Sequence, residues 1–189
     1  WRIVIADNGS TDSTSEIARR LASEQDRVGY VRLEQRGRGR ALRKVWLESR
    51  ADIVGYTDVD LSTDLHALVQ MLKAVSEDGY DIAVGSRLIG GARVISRPAK
   101  REVVSRAYSL LFRTMFRTGF RDAQCGFKVL TRRAVDEVVP SVVDTGWFFD
   151  SELLILAEKN GYRIKEVPVT WTDDPDSRVR ILSTAYGDV

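Results

Sequence analysis

Asp52-Ile53-Val54-Gly55-Tyr56-Thr57-Asp58-Val59-Asp60-Leu61-Ser62 is the stretch on which the fold turns. An apolar run from Ile53 to Tyr56, short and bounded by polar residues, reads as a buried strand. It ends in two acids one residue apart. Open α/β sheets bind ligands at the carboxyl ends of their strands, which is where Asp58 and Asp60 fall. In an extended chain alternate residues point the same way, so both carboxylates are expected to face one cation. Hard divalent cations that also hold phosphates favour such oxygen ligands. A bare acid-x-acid pair is common, and alone it reads as a strand end before a helix capped by Ser62, Thr63 or Asp64.

The neighbouring segments decide between these readings. On the amino side, Arg2 to Ala6 is a strand, and Asp7-Asn8-Gly9-Ser10-Thr11-Asp12 a turn. Ser13 with Glu16 has the spacing of a capping box for a helix to about Ser23. Val28 to Leu33 is a second strand. Gln35 to Arg40 is a glycine-punctuated loop opening the helix Ala41–Ser49. On the carboxyl side come a helix from about Leu65 to Glu77 and a strand from Tyr80 to Ser86. A helix from Arg101 to Thr118 and a short one from Arg132 to Val139 follow. The last elements are a helix from Trp147 to about Lys159 and a strand from Ile164 to Trp171. Strands alternating with helices imply a mostly parallel, twisted α/β sheet with helices on both faces. Trp1 to Ile5 has no helix or loop before it, which reads as a domain lacking its first βα unit.

The 189 residues suit one domain, 1–189, with a full core. Hydrophobic residues at 43% and charged ones at 30% describe a globular chain. One cysteine excludes an internal disulfide and fits a reducing compartment. No apolar stretch reaches membrane-spanning length, and nothing resembles a signal peptide. Cys125 has no histidine partner and His66 no second ligand nearby, so both read as structural.

The net charge of +2 is unevenly spread. Between Arg87 and Arg121 nine basic residues face Glu102 alone, so that segment carries +8 and the remainder −6. Such a patch seeks an anionic partner. Within it, at 100° per residue, Arg106, Arg113 and Arg117 share one narrow sector of the helix 101–118. Val103, Val104, Ala107, Tyr108, Leu111 and Met115 cover the opposite side, with Phe112 and Phe116 towards the polar edge. A core helix can look similar. The three-arginine sector with aromatic flanks favours an amphipathic helix lying on an anionic membrane surface.

Eight blocks in order carry a family resemblance: DNGSTD (7–12), RGRGRA (36–41), YTDVDLSTD (56–64), VGSRL (84–88), KREVVSR (100–106), DAQCGFKVL (122–130), WFFDSELL (147–154) and EVPVTW (166–171) with SRV (177–179). Together they resemble an inverting family-two glycosyltransferase with the GT-A, nucleotide-diphosphosugar-binding fold. Within that family the chain is most similar to the dolichyl- and polyprenyl-phosphate glycosyltransferases, particularly the β-glucosyl branch. It departs from them in three places. The family's first strand is absent, Ser62 stands where some members have a metal-binding glutamine, and Arg38 replaces a usual lysine.

The resemblance implies roles. Asp7 would contact the nucleotide base, although its position also suits a plain helix cap. Gly37, Arg38, Gly39 and Asp150 would line the nucleotide-sugar site. Asp58 would contact ribose and, with Asp60, hold Mg2+ or Mn2+ on the diphosphate. Asp122 and Gln124 would contact sugar and orient the acceptor. Arg87, Arg101, Ser105 and Arg178 would hold the acceptor phosphate. The implied reaction moves a hexose, glucose from UDP-glucose or alternatively mannose from GDP-mannose, to a dolichyl or polyprenyl phosphate. It would run at the cytoplasmic membrane face, with no nucleic acid as partner. Two other classes compete. Asp58-Val59-Asp60 also approximates a haloacid-dehalogenase phosphatase signature, but that class needs a late acidic pair, for which Asp173-Asp174 is weak. A non-enzymatic lipid- or nucleic-acid-binding module would use the basic patch and be indifferent to changes at Asp58 and Asp60.

Overall fold

Residues 1–96 and 99–172 are described by the computed structural model, with side chains for 1–96 and 102–172. Arg178 and the side chain of Arg101 therefore lie outside the described residues. The element order is β1 (Ile3–Asp7), α1 (Thr14–Glu24), β2 (Val28–Arg32), α2 (Arg38–Glu48), β3 (Ile53–Thr57), α3 (Ala67–Ser76) and β4 (Ile82–Ser86). After these come β5 (Arg93–Ile95), α4 (Ala99–Phe116), β6 (Phe127–Thr131), α5 (Arg132–Val138), α6 (Phe149–Lys159), β7 (Ile164–Pro168) and β8 (Thr170–Thr172).

β1 and β2 pair in parallel, and β3-β6-β4-β7 form the central sheet. β4 and β7 are parallel, while β6 runs antiparallel to both β3 and β4. β5 and β8 make a third, parallel pair. β4 is buried along its whole length and β6 over four of its five residues, as expected of central strands covered on both faces. One core packs α5 and α6 against the sheet through Val135, Val138, Phe149, Leu153 and Leu154. Each such side chain contributes roughly 1.5–3 kcal/mol when fully buried. The other core places Met71 and Val75 of α3 against Val129 and Val167.

Four local expectations are corrected. Ser13 makes no side-chain cap bond, and the turn is instead closed by Asp12, which accepts from Thr14 N at 3.0 Å. The run from Ile164 to Trp171 is two strands, because the chain changes partner at Val169, whose N–H bonds Ser86 O and whose O accepts from Arg93 N. The alternation argument for Asp58 and Asp60 does not hold. β3 stops at Thr57, Leu61 N bonds Asp58 O at 3.2 Å, and Leu61 takes a left-handed φ of 51°, so both acids sit on a turn.

The fourth correction concerns α4. Phe112 is buried, with Tyr108 and Phe116 packed beside it, so the aromatic side faces the core. Val103, Leu110, Leu111 and Met115 are 67%, 61%, 56% and 57% exposed. The helix thus has two apolar sides, and the solvent-facing one is bordered by Arg106, Arg113 and Arg117. No helix among the described residues is long and apolar enough to cross a membrane.

Candidate active site

The end of β3, the start of α2 and the start of α6 meet at Arg38. Its guanidinium lies 2.9 Å from Asp58 Oδ1, 3.2 Å from Asp150 Oδ2 and 3.1 Å from the Tyr56 hydroxyl. The Tyr56 hydroxyl donates to Asp150 Oδ1 at 2.6 Å. From β6, the fully buried Lys128 reaches Asp150 Oδ1 at 3.0 Å, Tyr56 Oη at 3.2 Å and Cys125 O at 2.8 Å. Arg38 is also layered between the Tyr56 and Trp147 rings, each centroid 5.1 Å from its guanidinium carbon. Two buried or half-buried cations and two acids thus hold each other in place. Burial, reinforced by Asp150, pushes the Tyr56 hydroxyl well above its ordinary pKa, so it stays a donor.

Asp58 differs from Asp150 in facing outward: its side chain is 49% exposed. Partial burial raises its pKa; Arg38 opposes the rise, while Asp150 and Asp60 add to it. The two acids of the turn therefore share one negative field. Gly126 makes room for Asp58, since a Cβ there would stand 1.7 Å from Asp58 Oδ2. Asp60 is exposed, and its Oδ1 accepts from Ser62 N at 3.0 Å. Among the described residues no third His, Cys or acidic side chain completes a protein cage. Two outward carboxylates with an open side fit a hard cation that takes its other ligands from water and substrate phosphate.

Gly37 and Gly39 serve the protein's own packing. Gly37 has φ 154°, and a Cβ there would lie 2.5 Å from Thr145 O; at Gly39 it would lie 2.5 Å from Phe149 Cβ. Both glycines let α2 start against the segment that leads into α6. Asp7 is buried and accepts from Ser10 N at 2.8 Å, Tyr30 Oη at 2.9 Å, Arg32 Nη1 at 3.1 Å and the Ser15 hydroxyl. Burial alone would raise its pKa, but the bonds from Ser15, Ser10 and Tyr30 hold it well below the usual carboxylate range. Asp7 thus anchors the β1–α1 turn, and no bond among the described residues joins it to Arg38 or Asp58. Its neighbour Asn8 accepts from Gly37 N at 2.7 Å, tying that turn to the glycine loop.

The second cluster follows β4. Arg87 grips Asp122 with Nε and Nη2, each at 2.8 Å, and with its backbone N at 2.9 Å. Burial works against the Asp122 charge, but the Arg87 guanidinium wins and lowers its pKa. A guanidinium has five N–H groups, so three of Arg87 remain for another acceptor. Beside this pair, Ser105, Tyr108 and Gln124 line a cavity of about 20 Å³. That is room for about one water. The charge of Asp58 reaches Arg87, and that of Lys128 reaches Asp122, so the two clusters adjoin. Cys125 lies between them with its thiol pushed up to about 11 by burial first and Asp122 next, which rules it out as a thiolate. His66 sits on the surface against Asp64.

The sequence alone assigns no role to Tyr56, Lys128 or Trp147. Lys128 had a signal: a lysine inside an apolar run, two residues past Gly126.

Residues 1–139 match the family described as Glycosyl transferase family 2. The chain belongs to that family. It is 40% identical over 188 residues to the glycosyltransferase AglD of Haloferax volcanii, covering 99% of this chain and 30% of that protein. It is 29% identical to the dolichyl-phosphate beta-glucosyltransferase of Saccharomyces cerevisiae and 31% to that of Mus musculus, over 96% and 95% of this chain. It spans 60% and 58% of those two proteins. Among solved structures, glucosyl-3-phosphoglycerate synthase from Mycobacterium tuberculosis superposes with a TM-score of 0.67 at 19% identity, covering 96% of this chain and 62% of that one. The same enzyme in complex with Mn2+, UDP and glucosyl-3-phosphoglycerate gives 0.66 at 20%, covering 98% and 63%. These structures share the GT-A-like fold. Family membership also removes the haloacid-dehalogenase reading of Asp58 and Asp60.

The depressed pKa values of Asp7 and Asp122 have a consequence for acid stability. Both groups bind protons less readily folded than unfolded, so their contribution is complete above the unfolded value of about 3.9. It is lost as pH falls below that value towards the folded pKa. Melting temperature should drop as pH falls from about 4 towards 2, and Asp122→Asn should flatten part of that drop. A wild-type melting temperature that stays level over this window would refute the expectation.

Proposed function

We propose that the protein transfers a hexose, glucose from UDP-glucose, to a dolichyl or polyprenyl phosphate with inversion at the anomeric carbon. The observation that carries this reading is the adjacency of the two clusters. One ends in the outward acids Asp58 and Asp60, and the other in the Arg87–Asp122 pair beside Ser105. The first suits a nucleoside diphosphate with its cation, and the second a phosphate acceptor. The dolichyl-phosphate glucosyltransferases among the relatives support the lipid phosphate, and the Mn2+ and UDP bound in the M. tuberculosis enzyme support the donor.

A phosphate monoester has a second pKa of about 6, so the acceptor is largely dianionic at neutral pH and needs no strong general base. Its oxygen attacks the anomeric carbon. The bond from that carbon to the diphosphate oxygen breaks, and the electron pair leaves with the nucleoside diphosphate. Mg2+ or Mn2+ held by Asp58 and Asp60 would neutralise the departing diphosphate. Arg38, fixed by Asp150 and Tyr56, keeps the Asp58 carboxylate aimed at the cleft. Arg87 and Ser105 would receive the acceptor phosphate, with Asp122 setting the plane of the Arg87 fork; Arg101 and Arg178 are assigned to the same phosphate. The exposed apolar side of α4, edged by arginines, suits the cytoplasmic face of a membrane, where such an acceptor resides.

Purified protein given radiolabelled UDP-glucose, polyprenyl phosphate and Mn2+ should form a chloroform-soluble β-glucoside, and chelation should stop it. Transfer from GDP-mannose instead would overturn the donor assignment. Release of nucleotide without a lipid product would overturn the acceptor assignment.

A further inference from the structure

Beside the acceptor cluster lies a second, larger cavity of about 150 Å³, lined by Leu88, Arg106, Ser109, Leu110, Arg113 and Arg121. It has roughly ten times the room that one water needs. Three guanidinium groups meet there. Arg106 bonds Glu102 through Nε at 2.6 Å. Arg113 and Arg121 have no acidic partner among the described residues. The Nε of Arg113 is buried and has no hydrogen-bond partner among the described residues. A buried donor left unpaired costs free energy unless something outside the fold accepts from it. Ser109 spends its hydroxyl hydrogen on Arg121 O at 2.6 Å, which fixes the segment bearing Arg121 against α4. The cavity therefore offers donors and positive charge.

Its position says what fills it. Leu110, which lines the cavity, also belongs to the exposed apolar side with Val103, Leu111 and Met115. Arg106 and Arg113 stand on the helix directly beside that side. A ligand with an anionic head and an apolar body would place the head among the arginines and the body along Leu110 and Leu111. A free anion would use the head site alone and leave the apolar stripe in water.

We propose that the Arg106–Arg113–Arg121 cavity binds the phosphate headgroup of an anionic membrane lipid, separate from the phosphate that accepts the sugar. The inference rests on the reading of α4 as the membrane-facing helix. The bound headgroup would fix how deeply and in which rotation α4 lies on the bilayer. That in turn sets the approach of the neighbouring acceptor site to the membrane plane.

The test compares wild type, Arg106→Gln/Arg113→Gln, Arg106→Lys/Arg113→Lys and Leu110→Ser/Leu111→Ser. Each is floated with phosphatidylcholine vesicles with and without phosphatidylglycerol. Wild type should prefer the phosphatidylglycerol vesicles. A basic residue near an anionic surface is worth on the order of fivefold in partition, so the glutamine pair should lose about thirtyfold. The lysine pair should keep most of the binding, and the serine pair should lose binding to both kinds of vesicle. Equal partition of wild type and the glutamine pair would overturn the proposal while leaving the membrane reading of α4 in place. Failure of wild type to float at all would overturn both. Inorganic phosphate that binds as tightly as the vesicles, and is lost in the glutamine pair, would mean a free-anion site. Turnover of a short-chain polyprenyl phosphate in detergent should not change in the glutamine pair. A parallel fall there would assign the cavity to the acceptor and overturn its separateness.

Discussion

Asp60→Asn is expected to remove transfer almost completely, by on the order of a thousandfold or more, while the protein melts within a few degrees of wild type. The Asp60 side chain accepts one hydrogen bond, from Ser62 N at 3.0 Å, and an asparagine oxygen can accept the same bond. The turn should therefore survive, as isolated surface substitutions usually cost within about 0.5 kcal/mol. What is lost is one of the two outward carboxylates that the described residues offer a cation at this place. Charge neutralisation of a leaving diphosphate is worth several kcal/mol in the transition state, which sets the size of the expected loss. Binding of UDP should become insensitive to Mn2+ in the mutant, and calorimetry with and without the metal reads this directly. Turnover within tenfold of wild type would remove the metal role of the turn. It would also favour a module that uses only its basic surface.

The alternation of strands and helices was legible because β1 to β4 and the helices between them follow simple periodicities. β6 was not. Its run Phe127-Lys128-Val129-Leu130 is interrupted by a lysine; the apolar run around it signals burial, but nothing local names Asp150 as its partner. α4 illustrates a different limit. A helical wheel shows one broad apolar side with Phe112 and Phe116 at its edge, and only packing decides that Phe112 turns inward and Leu111 outward. The candidate site was legible as a set of residues through its motif blocks. Its connectivity was not, because Arg38, Asp58, Lys128 and Asp150 come from four elements and meet only in the folded chain. Asp7 marks the same boundary, since the resemblance assigns it a nucleotide contact, while the bonds its oxygens accept from Ser10, Ser15, Tyr30 and Arg32 are visible only in the folded chain.

Lys128→Met should be the most damaging single change outside the outward-facing acids. The three donors of this fully buried ammonium go to Asp150 Oδ1 at 3.0 Å, Tyr56 Oη at 3.2 Å and Cys125 O at 2.8 Å. Methionine fills similar space but leaves Cys125 O without this donor and Asp150 with a single cation, Arg38 at 3.2 Å. Breaking a buried ion pair from one side typically costs about 3–5 kcal/mol, and the remaining Arg38 contact argues for the lower end. For a chain of this size each kcal/mol moves the melting temperature by roughly 2–4 °C, so a fall of about 6–12 °C is expected. Lys128→Met combined with Asp150→Leu should lose less than the sum of the two single changes, because the uncompensated charge goes with its partner. Activity should suffer beyond the loss of folded protein. The Lys128 charge helps hold the Asp58 pKa down, so its removal pushes that carboxyl further up and weakens it as a cation ligand. The Mn2+ concentration needed for half-maximal turnover should therefore rise in Lys128→Met, measured at a temperature where the mutant is fully folded. An unchanged metal requirement beside a large stability loss would confine Lys128 to the core. An unchanged melting temperature would mean that the buried Asp150 charge does not depend on it.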